Sequence, residues 1–231
     1  NEQRVSALAE LWLQEALAMD KKVNEGVLAA DVLNAYLESA RYAYAYLFFT
    51  ERSPSQRALE DRQTQVRDYY NFAVQQMVTR TFNHHHQHLL DSIDERGRFS
   101  VTSTYWQISG QLNEVRLAEG QQIPEKLIPA SSLTFKGLRN QYRRDGIGAE
   151  LVAVTAKRVV NKNSREDAFS ETPFPAVTAI LRFPGDTLTE ILTTQTVELL
   201  GFDPYRRDSV NLAGTEVPLA ANFTSGYGLW L

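Results

Sequence analysis

The stretch Leu33–Phe48, which reads LNAYLESARYAYAYLF, decides the fold class of this chain because its apolar residues recur at the spacing of an α-helix. Small and large side chains interleave from Ala40 to Tyr46, so that alanines permit close approach while tyrosines fill the gaps between helices. The sequence therefore predicts a helix packed against other helices. The alternation of small and large residues loosely resembles that of tetratricopeptide hairpins, although we find no clear repeat of about 34 residues. The predicted stripe consists of Leu33, Leu37, Ala40, Tyr44, Leu47 and Phe48.

Helical periodicity continues on both sides of this stretch, over residues 3–93. An earlier helix is predicted to end after Lys21 and Lys22, at Gly26. Residues Ser53–Gln56 predict the start of a later helix, as a capping box with proline at the first helical position. Long helices joined by short turns are typical of antiparallel hairpins. The predicted stripes of these two helices are Leu8, Leu11, Trp12, Ala16 and Met19, and Leu59, Val66, Tyr70, Ala73 and Met77.

The chain changes character near residue 95, and residues 97–231 predict mostly β-structure. Three short segments, rich in β-branched residues and bounded by glycine, proline or charge, are predicted strands: Leu151–Ala156, Ala176–Phe183 and Ile191–Leu199. The sequence thus predicts an α+β protein, with antiparallel helical hairpins in a subdomain at residues 1–95 and a mostly β subdomain at residues 96–231. The strand order, and the choice between a sandwich and an open sheet, stay open.

The composition is that of a globular protein and excludes several classes of function. With 231 residues, of which 43% are hydrophobic and 23% charged, the chain can bury a sizeable core. A formal net charge of -4 argues against a general nucleic-acid-binding protein, which needs a basic face. The absence of cysteine excludes disulfides, thiolate nucleophiles and cysteine-ligated metals within these residues. No apolar run approaches the roughly 20 residues that span a bilayer.

The two ends of the sequence lead us to expect that it is part of a longer protein. The chain begins with Asn1 rather than methionine, which is typical of a processed or trimmed start. It stops at the apolar residues Gly228–Leu231, whereas a natural terminus is usually solvated and frayed. We therefore expect further sequence beyond Leu231.

All four histidines lie together, in the segment His84–His88. His84 and His88 are one helical turn apart, a spacing that suits a metal ion, and Asp91 or Asp94 would have to supply a third ligand. The alternative is a solvated helix end or loop, which the polar flanking residues favour. We therefore predict no bound metal and no cofactor, with His84 and His88 as weak candidate ligands.

No nucleophile elbow of the Gly-x-Ser-x-Gly kind is present. The nearest stretch is Thr224–Gly228, in which Ser225 lacks the preceding glycine and is followed by no histidine. Asn222 begins a glycosylation sequon, by pattern only. These residues therefore do not contain a complete active site.

The densest charge beside flexible backbone lies at residues 139–148. Arginines there can bind an anion or a partner through paired hydrogen bonds, and glycines let the backbone approach it. A structural turn held by salt bridges explains the same residues. The candidate interface or ligand residues are Arg139, Arg143, Arg144, Asp145, Gly146 and Gly148.

Two stretches of the sequence are distinctive. The first is Tyr142–Ala149, followed by Leu151–Ala153. The second begins at Asp203-Pro204-Tyr205-Arg206 and continues through VNLAG at residues 210–214 and VPLAANFT at residues 217–224. They resemble the N-terminal region of a family of bacterial α/β-hydrolases that are envelope lipoproteins. The helical segments Ser39–Leu47 and Tyr69–Asn71 resemble it more loosely, and together these stretches cover most of the chain.

The resemblance implies that the parent protein is a serine hydrolase with an ester or lipid substrate. In such proteins this region precedes the hydrolase domain, so the catalytic serine, acid and histidine are expected after Leu231, and a lipid-bearing cysteine before Asn1. The implied partner is the C-terminal hydrolase domain of the same protein. The implied location is the bacterial cell envelope, with membrane attachment only through the lipid. No active-site residue of the family corresponds to a residue of this chain.

Three functions are consistent with the sequence. The first is a non-catalytic accessory domain that packs on a hydrolase domain and shapes its substrate access. The second is a stand-alone module that binds a protein or the cell wall and has no associated enzyme activity. The third is an independent enzyme with a metal site at His84–His88. A Gly-x-Ser-x-Gly motif after Leu231 would separate the first function from the other two.

Overall fold

The computed structural model describes residues 1–23, 29–94, 97–112, 114–115, 124–134, 142–154 and 174–225. Within these residues it confirms the predicted α+β class, with the long helices before residue 95 and the strands after it. The helices are α1 (Glu2–Asp20), α2 (Ala29–Phe48), α3 (Asp61–Ser92) and α4 (Leu188–Thr193). The strands are β1 (Arg98–Thr102), β2 (Gln107–Gln111), β3 (Lys126–Pro129), β4 (Arg143–Arg144), β5 (Ala149–Val154), β6 (Ala176–Arg182), β7 (Thr196–Phe202), β8 (Ser209–Leu212), β9 (Thr215–Pro218) and β10 (Ala221–Asn222).

The three long helices pack side by side. Tyr36 near the start of α2 donates a hydrogen bond to Asp20 at the end of α1 (3.2 Å), and Ser39 Oγ donates to Ala9 O (2.8 Å), so α1 and α2 are antiparallel. Helix α3 turns back along α2 and pairs Arg80 with Asp20. The predicted stripe of α2 is buried or half-buried, as expected, but the likeness to tetratricopeptide hairpins is not confirmed. None of the described helices is both long and apolar enough to cross a bilayer.

The buried face of α1 agrees with its predicted stripe at Ala16, which is buried, and at Trp12 and Met19, which pack on the core, but not at the two leucines. Leu8 and Leu11 are 37% and 58% exposed, whereas Ala9 and Leu13 face the core. The reason is the close approach of α2, whose Ser39 hydroxyl reaches the backbone carbonyl of Ala9 and leaves room only for a small side chain. Leu8 and Leu11 were therefore a poor guide to the orientation of this helix.

The predicted capping box at Ser53–Gln56 is present, but it begins only a 3₁₀ turn, Ser55–Arg57. Ser53 N donates to Gln56 Oε1 at 2.8 Å, and Gln56 N donates to Ser53 Oγ at 3.4 Å. Helix α3 begins after this turn, at Asp61.

The 3₁₀ turn places Arg57 against the end of α2. Its fully buried guanidinium donates to Tyr46 O at 2.8 Å and to Leu47 O at 3.2 Å. Its Nη1 also lies 3.5 Å from Glu2 Oε1 at the start of α1. A cation that binds the last carbonyls of a helix offsets the negative end of the helix dipole. Arg57 therefore stabilises the end of α2 and ties it to the start of α1.

The larger strands form one six-stranded mixed sheet in the order β1-β2-β7-β6-β5-β3. Strands β2 and β7 are parallel, and the other neighbouring pairs are antiparallel. Strand β6 is buried from Ala176 to Leu181, so it has cover on both faces. Helix α3 contacts β1, β3, β5 and β6, and β10 contacts β5 and β6. The Thr178 hydroxyl of β6 donates to Ala220 O at 2.5 Å, which fixes the chain beside β10.

The predicted strand Ile191–Leu199 is wrong in its first part, because Leu188–Thr193 form α4 and β7 begins at Thr196. Thr187 caps this helix by accepting from Glu190 N at 3.3 Å, and Asp186 N, one residue before the cap, donates to the Glu190 carboxylate at 2.8 Å. These two bonds outweigh the β preference of the apolar residues that follow.

One hydrophobic core joins the helices to the sheet. The ring of Tyr44 on α2 lies 6.3 Å from that of Tyr70 on α3 and 5.5 Å from that of Phe183 after β6. The ring of Trp106 also lies 5.8 Å from that of Phe183. Buried aromatic pairs at these distances add to the hydrophobic stabilisation. The two layers therefore share a single aromatic centre.

Tyr70 completes the hydrogen bonding of β6. Its hydroxyl accepts a bond from Leu181 N at 2.9 Å and donates one to Leu181 O at 2.6 Å. The registered pairing of β5 with β6 ends at Ala149 opposite Ala179, so Leu181 has no partner there from β5. Burial raises the pKa of Tyr70 well above its ordinary value, so the hydroxyl keeps the proton that it donates. The Tyr70 hydroxyl thus provides Leu181 with the two hydrogen bonds that a neighbouring strand would otherwise provide.

We expect Tyr70→Phe to lower the free energy of unfolding by about 2–4 kcal/mol, because the buried N–H and C=O of Leu181 both lose their partner. Urea denaturation followed by tryptophan fluorescence measures this. Tyr105→Phe is the matched control, since its hydroxyl donates to Asp31 at 2.8 Å on the surface, where water can replace the bond. Equal losses in the two variants would show that Tyr70 is not a partner of β6.

Candidate interaction site

The two distinctive stretches, residues 142–149 and 203–224, lie side by side. Strand β4 pairs with β10 in antiparallel register. Tyr142 N donates to Thr224 Oγ1 at 2.8 Å, and Phe223 N donates to Tyr142 O at 2.9 Å. Further along, Ile147 N donates to Pro218 O at 2.8 Å. The fold therefore brings the two stretches together through their backbones.

Arg144 is the main side-chain link between the two stretches. Its Nε donates to Leu219 O at 2.8 Å, and its Nη2 donates to Pro204 O at 3.2 Å and to Arg207 O at 3.0 Å. Its Nη1 pairs with the Asp208 carboxylate. Because these partners all belong to the second stretch, Arg144 holds that stretch in place and is turned inward.

Asn71 of α3 binds the turn between β4 and β5. Its Nδ2 donates to Gly146 O at 2.9 Å, and its Oδ1 accepts from Gly148 N at 2.7 Å. Asn71 was not among the predicted site residues. The signal that was available is a short amide within an amphipathic helix, where such a residue is disfavoured unless it bonds elsewhere.

Gly146 and Gly148 lie where other parts of the chain approach their backbone so closely that there is no room for a side chain. A Cβ at Gly146 would lie 2.4 Å from Pro218 O, and one at Gly148 would lie 2.8 Å from Ala179 O. Gly148 also has a φ of +109°, which residues with a side chain rarely adopt. Both glycines therefore have a structural reason within the described fold.

The other predicted site residues do not converge with Arg144. Arg143 faces away from it, with both Glu150 carboxylate oxygens at 3.1 and 3.0 Å from its Nη2 and 54% of its side chain exposed. Asp145 is exposed. Arg139 lies outside the described residues. The structure therefore divides the basic stretch into an inward arginine and an outward one.

The turn at Asp203 places Tyr205 beside the same site. Asp203 Oδ1 accepts from Tyr205 N at 2.9 Å, and Asp203 O accepts from Arg206 N at 3.0 Å. The ring of Tyr205 packs edge-on against Phe223 at 5.0 Å, and its hydroxyl donates to Phe223 O at 2.9 Å. Burial, followed by the nearby Asp203 carboxylate, raises the pKa of Tyr205. The hydroxyl therefore stays protonated and keeps this bond.

Asn222 and Ser225 have structural roles. Asn222 Oδ1 accepts from Thr224 N at 3.1 Å and from Ser225 N at 3.0 Å, so it caps the helical turn at residues 223–225. Asn222 is 8% exposed and Ser225 is 3% exposed. The asparagine of the sequon is thus turned inward, and Ser225 is closed to a substrate.

The histidine segment His84–His88 lies within α3, which continues to Ser92, rather than at a helix end or in a loop. The side chains of these histidines are outside the described residues. Among the side chains that are described, no three of His, Asp or Glu are grouped as metal ligands. The absence of a metal at His84 and His88 stays a prediction.

As a whole, this site is a surface held by internal hydrogen bonds, with side chains exposed for contact. No catalytic pair lies among its described residues. Its polar groups bind one another, while Tyr142 and Tyr205 remain 69% and 63% exposed. No protein-family model, curated protein or solved structure matches this chain.

We expect Arg144→Ala to lower the free energy of unfolding by about 2–3 kcal/mol, because three backbone carbonyls and Asp208 lose their donor. Arg143→Ala is the matched control and should change stability little, since its ion pair is largely exposed. Thermal unfolding followed by circular dichroism compares the two. A larger loss for Arg143→Ala would contradict the inward role of Arg144.

Three glycine-to-alanine variants separate crowding from backbone strain. Gly214 has a φ of +78° and no atom within 4 Å of an added Cβ, so Gly214→Ala should cost only the left-handed conformation, about 1–2 kcal/mol. Gly148→Ala adds crowding to that strain, and Gly146→Ala meets backbone atoms directly, so both should cost more or prevent folding. Soluble yield and melting temperature give the ranking. If Gly214→Ala lost as much soluble yield and melting temperature as the other two variants, crowding at Gly146 and Gly148 would be disproved.

Proposed function

We propose that this chain is the non-catalytic N-terminal accessory region of a larger cell-envelope serine hydrolase that acts on an ester or lipid substrate. The hydrolase domain follows in the same polypeptide, and a lipid anchor before residue 1 attaches the protein to the membrane. In this role the chain positions the hydrolase domain and shapes the access of substrate to it, and supplies no residue to the reaction.

The observation that carries the proposal is the meeting of the stretches on which the family resemblance depends. Residues 142–149 and 203–224 are far apart in the sequence, yet they form one unit through Arg144 and the pairing of β4 with β10. The looser stretch Tyr69–Asn71 also takes part, because Asn71 bonds to both glycines of the turn. Residues that resemble a family at separate places and meet at one place support a shared role for that place.

The chemistry of the described side chains favours a non-catalytic role. Ser225 is buried, whereas a serine nucleophile needs an adjacent base and room for the substrate. Burial raises the pKa of Glu38, a shift found both in acid–base catalysts and in structural ion pairs. Glu38, however, pairs with Arg41, which donates to Thr194 O at 2.8 Å and so ties α2 to the end of α4. This carboxylate therefore has a structural partner.

A fluorophosphonate probe, which labels activated serines, should leave residues 1–231 unlabelled and should label the full-length protein at one serine after residue 231. Intact-mass and peptide mass spectrometry locate the label. Heat denaturation of the full-length protein is the control for non-specific reaction and should abolish labelling. Ser225→Ala in residues 1–231 should behave like the unmodified chain.

Stoichiometric labelling of Ser225 in residues 1–231 would contradict the proposal. A full-length protein without a reactive serine would also contradict it, and would favour a binding module for a protein or the cell wall.

A further inference from the structure

We infer that two copies of this chain associate through the outer face of α1, with their α1 helices antiparallel about a two-fold axis. The contact is made by four residues, named here the α1 seam: Arg4, Leu8, Leu11 and Glu15. The inference goes beyond the proposed function and does not rest on it, because the seam contains no residue of the candidate interaction site.

The α1 seam is a regular line along one side of the helix. Its residues are four, three and four positions apart, which is the spacing of the a and d positions of a coiled coil. At 3.6 residues per turn they lie within an arc of about 60°, and Arg4 is about 16 Å from Glu15 along the helix axis. The seam therefore has the geometry with which one helix packs along another.

The α1 seam is open in this structure. Leu8 and Leu11 are 37% and 58% exposed, and Arg4 and Glu15 are exposed at the two ends of the seam. The face of α1 that contains Ala9 and Leu13 is the one that packs on the core. The seam thus presents apolar surface between two charges and is covered by nothing in the described fold.

The two charges of the α1 seam also differ from the other charges of this helix. Arg4 and Glu15 form no ion pair with another described residue. Each of the other charged residues of α1 does form one: Glu2 with Arg52, Glu10 with Arg62 and Asp20 with Arg80. Arg4 and Glu15 are therefore available for contacts outside the described fold.

The order of the charges identifies the occupant as a second copy of the chain. In an antiparallel pair of α1 helices, Leu8 of each copy lies opposite Leu11 of the other, and Arg4 lies opposite Glu15. The pair then has four leucines at its centre and an ion pair at each end. In a parallel pair, like charges would lie opposite one another and repel. A patch that is complementary to itself in one orientation is what a two-fold contact between identical chains requires.

Other occupants fit the α1 seam less well. An anionic lipid surface would attract Arg4 but repel Glu15, and it would repel a chain whose formal net charge is -4. The contact between two copies is small, since each contributes two leucines, and exposed ion pairs add little free energy. Small contacts are typical of weak, reversible association, so we expect the dimer to form as the protein is concentrated.

Sedimentation velocity of residues 1–231, from about 1 μM to about 0.5 mM, measures this association. The average mass should rise with concentration from that of one chain toward that of two. Leu11→Ser should raise the dissociation constant by about tenfold or more, because it removes the more exposed leucine from the contact.

Two charge reversals test the antiparallel pairing. Arg4→Glu gives the seam two acidic residues and Glu15→Arg gives it two basic ones, so each variant alone should have a dissociation constant raised by about tenfold or more. An equimolar mixture of the two should associate as well as the unmodified chain, because opposite charges meet again at both ends. Lys21→Glu is the matched control: it changes the net charge as Arg4→Glu does, but Lys21 follows α1 and lies off the seam.

The charge variants should fold normally, because Arg4 and Glu15 are exposed and form no ion pair with another described residue. Circular dichroism at about 1 μM, where the chain is monomeric, should give all of them a melting temperature within about 2 °C of the unmodified chain. A change in association then reports the contact between copies and not the stability of each copy.

Four results would overturn the inference. The mass of a single chain at every concentration would show that no second copy binds. The same monomeric chain sedimenting with anionic phospholipid vesicles would assign the seam to a lipid surface. Dimers that neither charge reversal weakens would place the contact elsewhere on the chain. A mixture of the two reversals that stays monomeric would exclude the pairing of Arg4 with Glu15.

Discussion

Two consecutive side chains of α3 determine where the pairing of β5 with β6 ends and where the candidate site begins. Tyr70 gives Leu181 the partner that β5 does not provide, and Asn71 bonds to Gly146 and Gly148 in the chain that approaches β5. A buried N–H or C=O without a partner costs about 1–3 kcal/mol, so the chain could not diverge from β6 here without such substitutes. The helical layer therefore determines the path of residues 142–148 as well as covering the sheet.

The same constraint passes on to residues 203–224 through Arg144. The Asn71 bonds set the turn at residues 146–148, the turn sets β4, and β4 directs the guanidinium of Arg144 into the second stretch. The first and last of these steps are hydrogen bonds between groups that are partly shielded from water, and satisfied polar networks of this kind specify one arrangement of the chain. Hydrophobic packing alone would hold the layers together without selecting this arrangement, because it is not directional.

The sequence was a good guide wherever a local pattern carries the structural information. The stripe of α2, and that of α3 from Val66 to Met77, were predicted because their large apolar residues are the ones that become buried. Leu59 was a wrong member of the second stripe, because it is fully exposed and precedes α3. The pattern misled where another effect was stronger. The contact of α2 with Ala9 orients α1, and this contact is not local. The cap formed by Thr187 starts a helix in an apolar run. At the site, the stretch was predicted but the opposite directions of Arg143 and Arg144 were not. Consecutive residues of a strand point to opposite sides, but which of these two faces inward depends on the pairing of β4 with β10, which lies in no local pattern. The partners of Asn71 are likewise more than seventy positions away.

An accessory region with this construction would stabilise a neighbouring domain and be stabilised by it. A partner that binds only the folded state adds its binding free energy to the stability of that state. At residues 142–149 and 203–224, that energy would act on Phe223 and Tyr142, which are joined through Arg144 and the turn to Asn71 and so to the helical layer. Docking at one end of this series of contacts would therefore reduce local opening at the other end, along α3 and β6. Because such coupling is reciprocal, a change that loosens Tyr70 or Asn71 would weaken binding of a partner at residues 142–149 and 203–224 without altering those residues.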